Sequence, residues 1–123
     1  MKQRNMTRIQ IKRIYDSPEA KDGYRILIDG LWPRGMKKEN APIDCWMKSV
    51  APSPSLRKWF SHDQGKWEQF SKKYRSELKQ PGICDELKAC IQKYKNITFL
   101  YAARDEQHNN ALVLQEFVQE NLL

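Results

Sequence analysis

The sequence predicts an α/β fold in which a small, mainly parallel β-sheet is flanked by helices in a single domain. Residues 97–102 are almost wholly apolar, and residues 24–29 end with apolar side chains on both faces, as expected of strands covered on both sides. Segments with the 3.6-residue period of amphipathic helices lie between and after them. This alternation is typical of a parallel sheet, and 123 residues is the usual size of one domain.

The strands are predicted in the following order. Residues 1–7 are expected to form a flexible arm. Apolar and polar residues alternate from Ile9, which predicts a half-exposed strand that runs to about Tyr15. The second strand must stop at residues 29–35, because two glycines and a proline in seven residues interrupt regular structure. Residues 97–102 give the strongest strand pattern of the chain.

Five helices are predicted. A short one, residues 43–49, fits between two prolines. Ser53 followed by Pro54 is typical of an N-cap with proline at the first helical position. The last three helices are indicated by inward stripes of apolar residues at helical spacing: Trp67, Phe70, Tyr74 and Leu78 in the first, Cys84, Leu87, Ile91 and Tyr94 in the second, and Ala111, Leu114, Phe117 and Val118 in the third.

Composition narrows the partners that the chain could have. A formal net charge of +7 favours anions such as nucleotides, phosphorylated metabolites or a nucleic-acid backbone. No apolar stretch approaches the ~20 residues needed to cross a bilayer, and the first residues lack a signal-peptide pattern. A cytoplasmic location without membrane contact is therefore expected. Two histidines and three scattered cysteines match no zinc-site spacing, so no metal is predicted, and no glycine-rich phosphate motif identifies a cofactor.

Two polar loops are predicted to meet at one edge of the sheet. Residues 29–35 and 104–110 each follow the carboxyl end of a strand, where parallel sheets bind their ligands. His108 is the candidate general acid/base, and Asp105, three residues earlier, could orient it. Asp29 could position water or a hydroxyl group. The alternative is that Asp105 merely caps the following helix, which for this residue alone is about equally favoured.

The candidate substrate-binding residues surround these three. Arg34 and Arg104 could hold an anion, since a guanidinium binds phosphate or carboxylate with two parallel hydrogen bonds. Trp32 could stack on a ring, although core packing is favoured for it. A third segment, residues 56–63, carries charged residues around two aromatic rings. The full candidate set is Arg34, Arg104, Asn109, Trp32, Arg57, His62 and Tyr101.

Four blocks of the sequence resemble the YeaO-like proteins, a bacterial family of unknown function. They read IQIKRIYD, DGYRILIDGLWPRG, WMKSVAPSPSLRKWFSHD and LYAARDEQHNNALVL, and they cover nearly the whole chain in order. The resemblance implies an α/β fold. It also implies that the following residues occupy the family's motif positions: Asp29, Trp32, Pro33, Arg34, Arg57, Trp59, Phe60, His62, Asp63, Tyr101, Arg104, Asp105, His108 and Asn109.

Three functions remain open at this point. The first is an enzyme that acts by hydrolysis or group transfer on a small anionic or nucleotide-like substrate. The second is a nucleic-acid-associated protein whose basic helices follow phosphates, with a steep dependence on salt. The third is a regulatory binding protein without turnover. The sequence does not predict the oligomeric state.

Overall fold

Four parallel strands form one sheet in the computed structural model, which describes residues 7–123. The strands are β1 (Arg8–Arg13), β2 (Tyr24–Leu27), β3 (Cys45–Trp46) and β4 (Asn96–Tyr101). Their order across the sheet is β1-β4-β2-β3, and every neighbouring pair is parallel. The predicted α/β class is therefore confirmed.

Four α-helices cover this sheet. They are α1 (Pro54–Phe60), α2 (Trp67–Leu78), α3 (Asp85–Lys93) and α4 (Asn110–Asn121). The predicted start of α1 is confirmed, because the Ser53 hydroxyl accepts a hydrogen bond from the Leu56 N–H and Pro54 is the first helical residue. Within residues 7–123, no helix combines the length and the apolar character needed to cross a membrane.

The two faces of the sheet are covered differently. The helices bury Phe70, Tyr74, Leu114 and their neighbours against one face, where Ile26 and Phe99 lie. The opposite face is covered by a smaller cluster built on three buried residues, Ile14, Leu27 and Leu100. Packed against that cluster are side chains of the segment after β2: Trp32, Met36, Ile43 and Trp46. The long connection from residue 29 to residue 46 is therefore held in place by its own apolar residues.

The predicted helix at residues 43–49 is wrong. Cys45 and Trp46 form β3, in register with Ile26 and Leu27 of β2, and a 3-10 turn follows at Lys48–Val50. The physical reason is the outer edge of β2, whose carbonyl groups need donors. The N–H groups of Asp44 and Met47 donate to the carbonyl groups of Arg25 and Leu27, at 2.8 and 2.9 Å.

The predicted arm falls almost wholly on residues 1–6, which lie outside the described residues. Thr7, its last residue, is described. The Thr7 hydroxyl lies 2.6 Å from the Ile91 carbonyl oxygen and 2.9 Å from that of Tyr94. This contact ties the beginning of the described chain to the end of α3.

Candidate functional site at the carboxyl edge of the sheet

The Asp29 carboxylate joins the two polar loops. Its Oδ2 accepts a hydrogen bond from the Ala102 N–H at 2.9 Å, and its Oδ1 accepts one from the Asn110 side-chain amide at 3.0 Å. The same amide also donates to the Ile28 carbonyl group at 3.3 Å. Because β2 and β4 are adjacent and parallel, the chain leaving each strand reaches the same edge. The loops that the sequence predicted to meet are thus in direct contact.

Burial dominates the protonation behaviour of Asp29. Removal from water raises the pKa of this carboxyl group. The hydrogen bonds from Asn110 and Ala102 and the positive charge of Arg57 oppose that rise but do not cancel it. Both carboxylate oxygens already accept hydrogen bonds from the protein, so this group serves first to hold the edge together.

Arg57 brings a cation from α1 to the same edge. Its guanidinium lies against the backbone of Gly30, where a β-carbon would come within 2.8 Å of Nη1. Glycine at position 30 is therefore what lets the guanidinium occupy this place. Across residues 7–123, no carboxylate oxygen lies within 4.0 Å of Arg57, although its side chain is only partly exposed.

Two residues at the end of β1 complete the edge, and sequence reasoning missed both. The Arg13 guanidinium donates to the carbonyl groups of Ala103 and Ala102, at 2.9 and 3.2 Å. The Tyr15 hydroxyl donates to the Arg34 carbonyl group at 2.9 Å. The sheet topology could have identified them. Because β1 is parallel to β4 and lies beside it, the chain leaving β1 also reaches this edge. Asn110 was missed as an individual contact, although it lay inside the predicted loop.

Asp105 and His108 form a coupled pair at the start of α4. His108 Nδ1 lies 3.0 Å from Asp105 Oδ2, which also accepts a hydrogen bond from the Gln64 side chain at 3.0 Å. The other oxygen accepts from the Gln107 and His108 N–H groups. The Gln107 N–H contributes most to lowering the pKa of Asp105, and the His108 side chain adds to the effect.

An aromatic chain connects this pair to the segment after α1. The rings of Trp67 and His108 pack nearly perpendicular to each other, with 5.3 Å between their centroids, and the Phe60 ring centroid lies 6.1 Å from that of Trp67. His62 is exposed and lies 6.4 Å from Phe60. The segment of residues 56–63 therefore borders the His108 side of the edge.

The remaining candidates divide into packed and exposed residues. Asn109 is buried and caps α4 by accepting the Leu112 N–H at 3.0 Å. Tyr101 is 4% exposed, and burial raises its pKa. Trp32 packs edge-on against Trp46 and donates its indole N–H to the Met36 carbonyl group, which agrees with the favoured core interpretation.

Arg34 and Arg104 are exposed, and no carboxylate within the described chain lies within 4.0 Å of either. The two most exposed large apolar side chains of that part of the protein, Tyr15 and Leu31, follow the carboxyl ends of β1 and β2. Two surface depressions lie elsewhere, one at the amino end of the sheet and one where the connection between α2 and α3 meets the end of α4. The edge is therefore distinguished by its charged groups rather than by its shape.

The residues that the structure describes contain no cluster of three or more histidine, cysteine or acidic side chains arranged to hold a metal ion. The fold and this edge together define a class of protein, namely a small parallel α/β domain whose strand ends carry cations and an Asp–His pair. Residues 8–123 match the family described as the inactive DUF488-N3 subclade, and the chain belongs to that family.

Relatives confirm the resemblance to YeaO-like proteins. The chain is 42% identical to the uncharacterized protein YeaO of Escherichia coli strain K12 over 111 residues, which cover 90% of this chain and 96% of the relative. It is 31% identical to the uncharacterized protein Rv3073c of Mycobacterium tuberculosis strain H37Rv over 112 residues, which cover 91% and 94% respectively. No solved structure matches the chain.

Proposed function

We propose that this chain is a cytoplasmic binding protein for a small phosphate-bearing ligand, which it holds at the carboxyl edge of its sheet without turnover. The observation that carries the proposal is the Arg57 guanidinium. It is partly buried against Gly30, and no carboxylate of the described chain lies within 4.0 Å of it. A guanidinium in this position can form two parallel hydrogen bonds with phosphate oxygens.

Exposed cations extend the proposed site. Arg34 and Arg104 follow β2 and β4, the strands that Asp29 and its partners hold together. The Tyr15 hydroxyl fixes the backbone of Arg34. A ligand phosphate at Arg57 would therefore approach a surface with further positive charge and one exposed aromatic ring, which suits a nucleotide-like molecule.

The hydrogen bonding of the acidic residues gives them a structural role, which is compatible with binding alone. Both oxygens of Asp29 accept hydrogen bonds from the protein, and so do both oxygens of Asp105. These contacts position backbone N–H groups and side chains of the protein, so both carboxylates have a role that requires no turnover. The matched subclade is described as inactive, which points in the same direction.

The experiment measures the affinity for inorganic phosphate and for adenosine monophosphate by isothermal titration calorimetry. We expect Arg57→Ala to weaken binding by roughly 10- to 100-fold, because a hydrogen bond to a charged group contributes about 1.5–3 kcal/mol. Gly30→Ala should weaken binding in the same direction. Its new methyl group displaces only the flexible end of Arg57, so the fold should be retained.

The matched control is Arg8→Ala, which removes an exposed cation at the opposite, amino end of β1. This variant should bind both probes as the unmodified protein does. Equal affinities in the unmodified, Arg57→Ala and Gly30→Ala proteins would refute the proposal.

A catalytic function is the second candidate, and the Asp105–His108 pair favours it. The 3.0 Å contact leaves the second ring nitrogen, Nε2, as the group that could exchange a proton with a substrate. Hydrolysis of nucleotide substrates by the unmodified protein, and its loss in His108→Gln, would replace the binding proposal with this one.

A further inference from the structure

We propose that a second surface, on α1 and α2, binds single-stranded nucleic acid by stacking a base on Trp59 and holding the neighbouring phosphates with Lys66 and Lys73. This surface, called here the Trp59 platform, consists of those three residues. It shares no residue with the proposed ligand site at the carboxyl edge, although Trp59 belongs to the segment of residues 56–63 that borders that edge.

Two lysines converge on one ring in the Trp59 platform. The ammonium groups of Lys66 and Lys73 each lie 5.0 Å from the centroid of the Trp59 ring. Because both are 5.0 Å from the same point, they are at most 10 Å apart. Lys66 is further fixed by a hydrogen bond of 2.9 Å to the Trp59 carbonyl oxygen. An ammonium group carries three N–H donors, so each of these lysines can also donate to a phosphate oxygen.

The described part of the chain does not supply an anion to these lysines. Across residues 7–123, no carboxylate oxygen lies within 4.0 Å of the ammonium groups of Lys66, Lys73 or their exposed neighbours Lys58 and Lys72. Arg75, by contrast, is on the same helix and is neutralised by Glu116 and Glu120 of α4. The positive charge therefore remains on the Trp59 side of α2.

The distribution of charge along the chain agrees with this picture. Residues 57–79 contain seven lysines and arginines against three acidic residues, a net charge of +4 out of the +7 of the whole chain. With 12 residues, α2 is about 18 Å long, so its basic side spans several phosphates of an extended strand.

The loop beside the platform has a strained backbone. Ser61 and His62 have φ angles of 45° and 58°, in the left-handed region that residues other than glycine seldom occupy. Both residues are exposed. Ser61 ends α1 as its C-cap, with its N–H donating to the Arg57 carbonyl group, so this conformation has a helix-capping reason at Ser61 but not at His62.

The chemistry of the platform fits a single strand better than a duplex. Base stacking on an indole ring requires an unpaired base, whereas a duplex offers only its backbone and groove edges. Ammonium groups beside the ring supply the phosphate contacts, as in other proteins that bind single strands without sequence preference.

The test uses fluorescence anisotropy with a labelled thymidine oligonucleotide of roughly 15 nucleotides and a duplex of the same length. The unmodified protein should bind the single strand more tightly than the duplex. The double variant Lys66→Ala/Lys73→Ala should lose at least about tenfold in affinity. For this double variant, the slope of log affinity against log salt concentration should be shallower by about 1.4. Each phosphate contact with a single strand contributes about 0.7 to that slope, and two contacts are removed.

The matched control is Lys88→Ala/Lys95→Ala, which removes two exposed lysines on and after α3. It should change the affinity less than about twofold. Trp59→Leu keeps an apolar side chain and should lose about fivefold or more if stacking contributes. The proposal is overturned by an absence of binding, by tighter binding of the duplex, by equal losses in both double variants, or by unchanged binding in Trp59→Leu.

Discussion

Asp29 shows how one side chain can organise the strand ends of a small sheet. It accepts hydrogen bonds from the backbone of Ala102 and from the side chain of Asn110, and its own carbonyl group accepts the Trp46 indole N–H at 2.7 Å. Contacts to three segments of the chain therefore meet at one residue. Burial raises the pKa of this carboxyl group, so the ionised form of Asp29 is less favourable in the folded protein. The hydrogen bonds to Asp29 reduce this free-energy penalty.

Replacement of Asp29 by alanine should destabilise the protein by roughly 1–3 kcal/mol, because the Ala102 N–H and the Asn110 amide lose their acceptor. Urea denaturation followed by circular dichroism measures the change in the free energy of unfolding. Asp16→Ala, at an exposed turn residue, is the control and should change it by less than about 0.5 kcal/mol. If Asp29→Ala left the free energy of unfolding unchanged, these contacts would not be what holds the loops together.

At the start of α4, a few side chains likewise hold the backbone in place, each through more than one hydrogen bond. Asn109 caps the helix through the Leu112 N–H, and its amide donates to the Asp105 carbonyl group at 3.1 Å. Asp105 in turn accepts from the Gln107 and His108 N–H groups. The polar loop of residues 104–110, which from sequence suggests a functional site, thus also closes a turn and begins a helix.

Asn109→Ala should cost about 1 kcal/mol of stability, the usual effect of removing an N-cap side chain. Asn109→Ser keeps an oxygen acceptor for the Leu112 N–H without adding a charge at this buried position, so it should be less destabilised than Asn109→Ala. Thermal unfolding of the two variants beside the unmodified protein measures the difference. Equal melting temperatures for Asn109→Ala and the unmodified protein would contradict the capping role.

At the scale of the whole molecule, the face of the sheet away from the helices contains a buried ion-pair network. Asp22 is 1% exposed and pairs with Arg25 and with Lys12, the latter at 3.1 Å. Burial opposes the ionisation of Asp22, but the Glu19 N–H and the charges of Lys12 and Arg25 outweigh it and lower the pKa. This network fixes the connection between β1 and β2.

The lowered pKa of Asp22 sets the direction of its pH effect. The unfolded chain binds a proton at this residue more readily than the folded chain. The stabilisation that ionised Asp22 gives to the fold is therefore complete above the ordinary pKa of aspartate. The stabilisation is lost as the pH falls through the lowered value. Asp22→Asn should therefore be less stable by roughly 3–5 kcal/mol at neutral pH, and its stability should depend less on pH in acid.

Denaturant titrations from pH 7 into the acid range measure this dependence. Glu39→Gln, at an exposed residue, is the control and should follow the unmodified protein. Parallel acid profiles for Asp22→Asn and the unmodified protein would show that the pair does not stabilise the fold.

Sequence patterns were most informative where an element buries a continuous apolar run or one apolar face. The apolar run of β4 and the stripes of α2 and α4 predicted those elements, and the order of strands and helices predicted which loops would meet. The pattern failed at β3, because two residues are too few for a period, and hydrogen bonding to β2 decides their structure. Arg13 and Tyr15 were missed because their hydrogen bonds go to the segments that follow other strands of the sheet. The pattern of residues within β1 carries no signal for such contacts.

The most direct test of the carboxyl-edge site is a titration of the ¹⁵N-labelled protein with inorganic phosphate, followed by ¹H–¹⁵N NMR. The largest changes should fall on the Arg57 side-chain Nε–H and on the amide of residue 30, and Gly30→Ala should suppress them. Changes confined to the amino end of the sheet, around Tyr24 and Tyr94, or a spectrum that phosphate leaves unaltered, would contradict it.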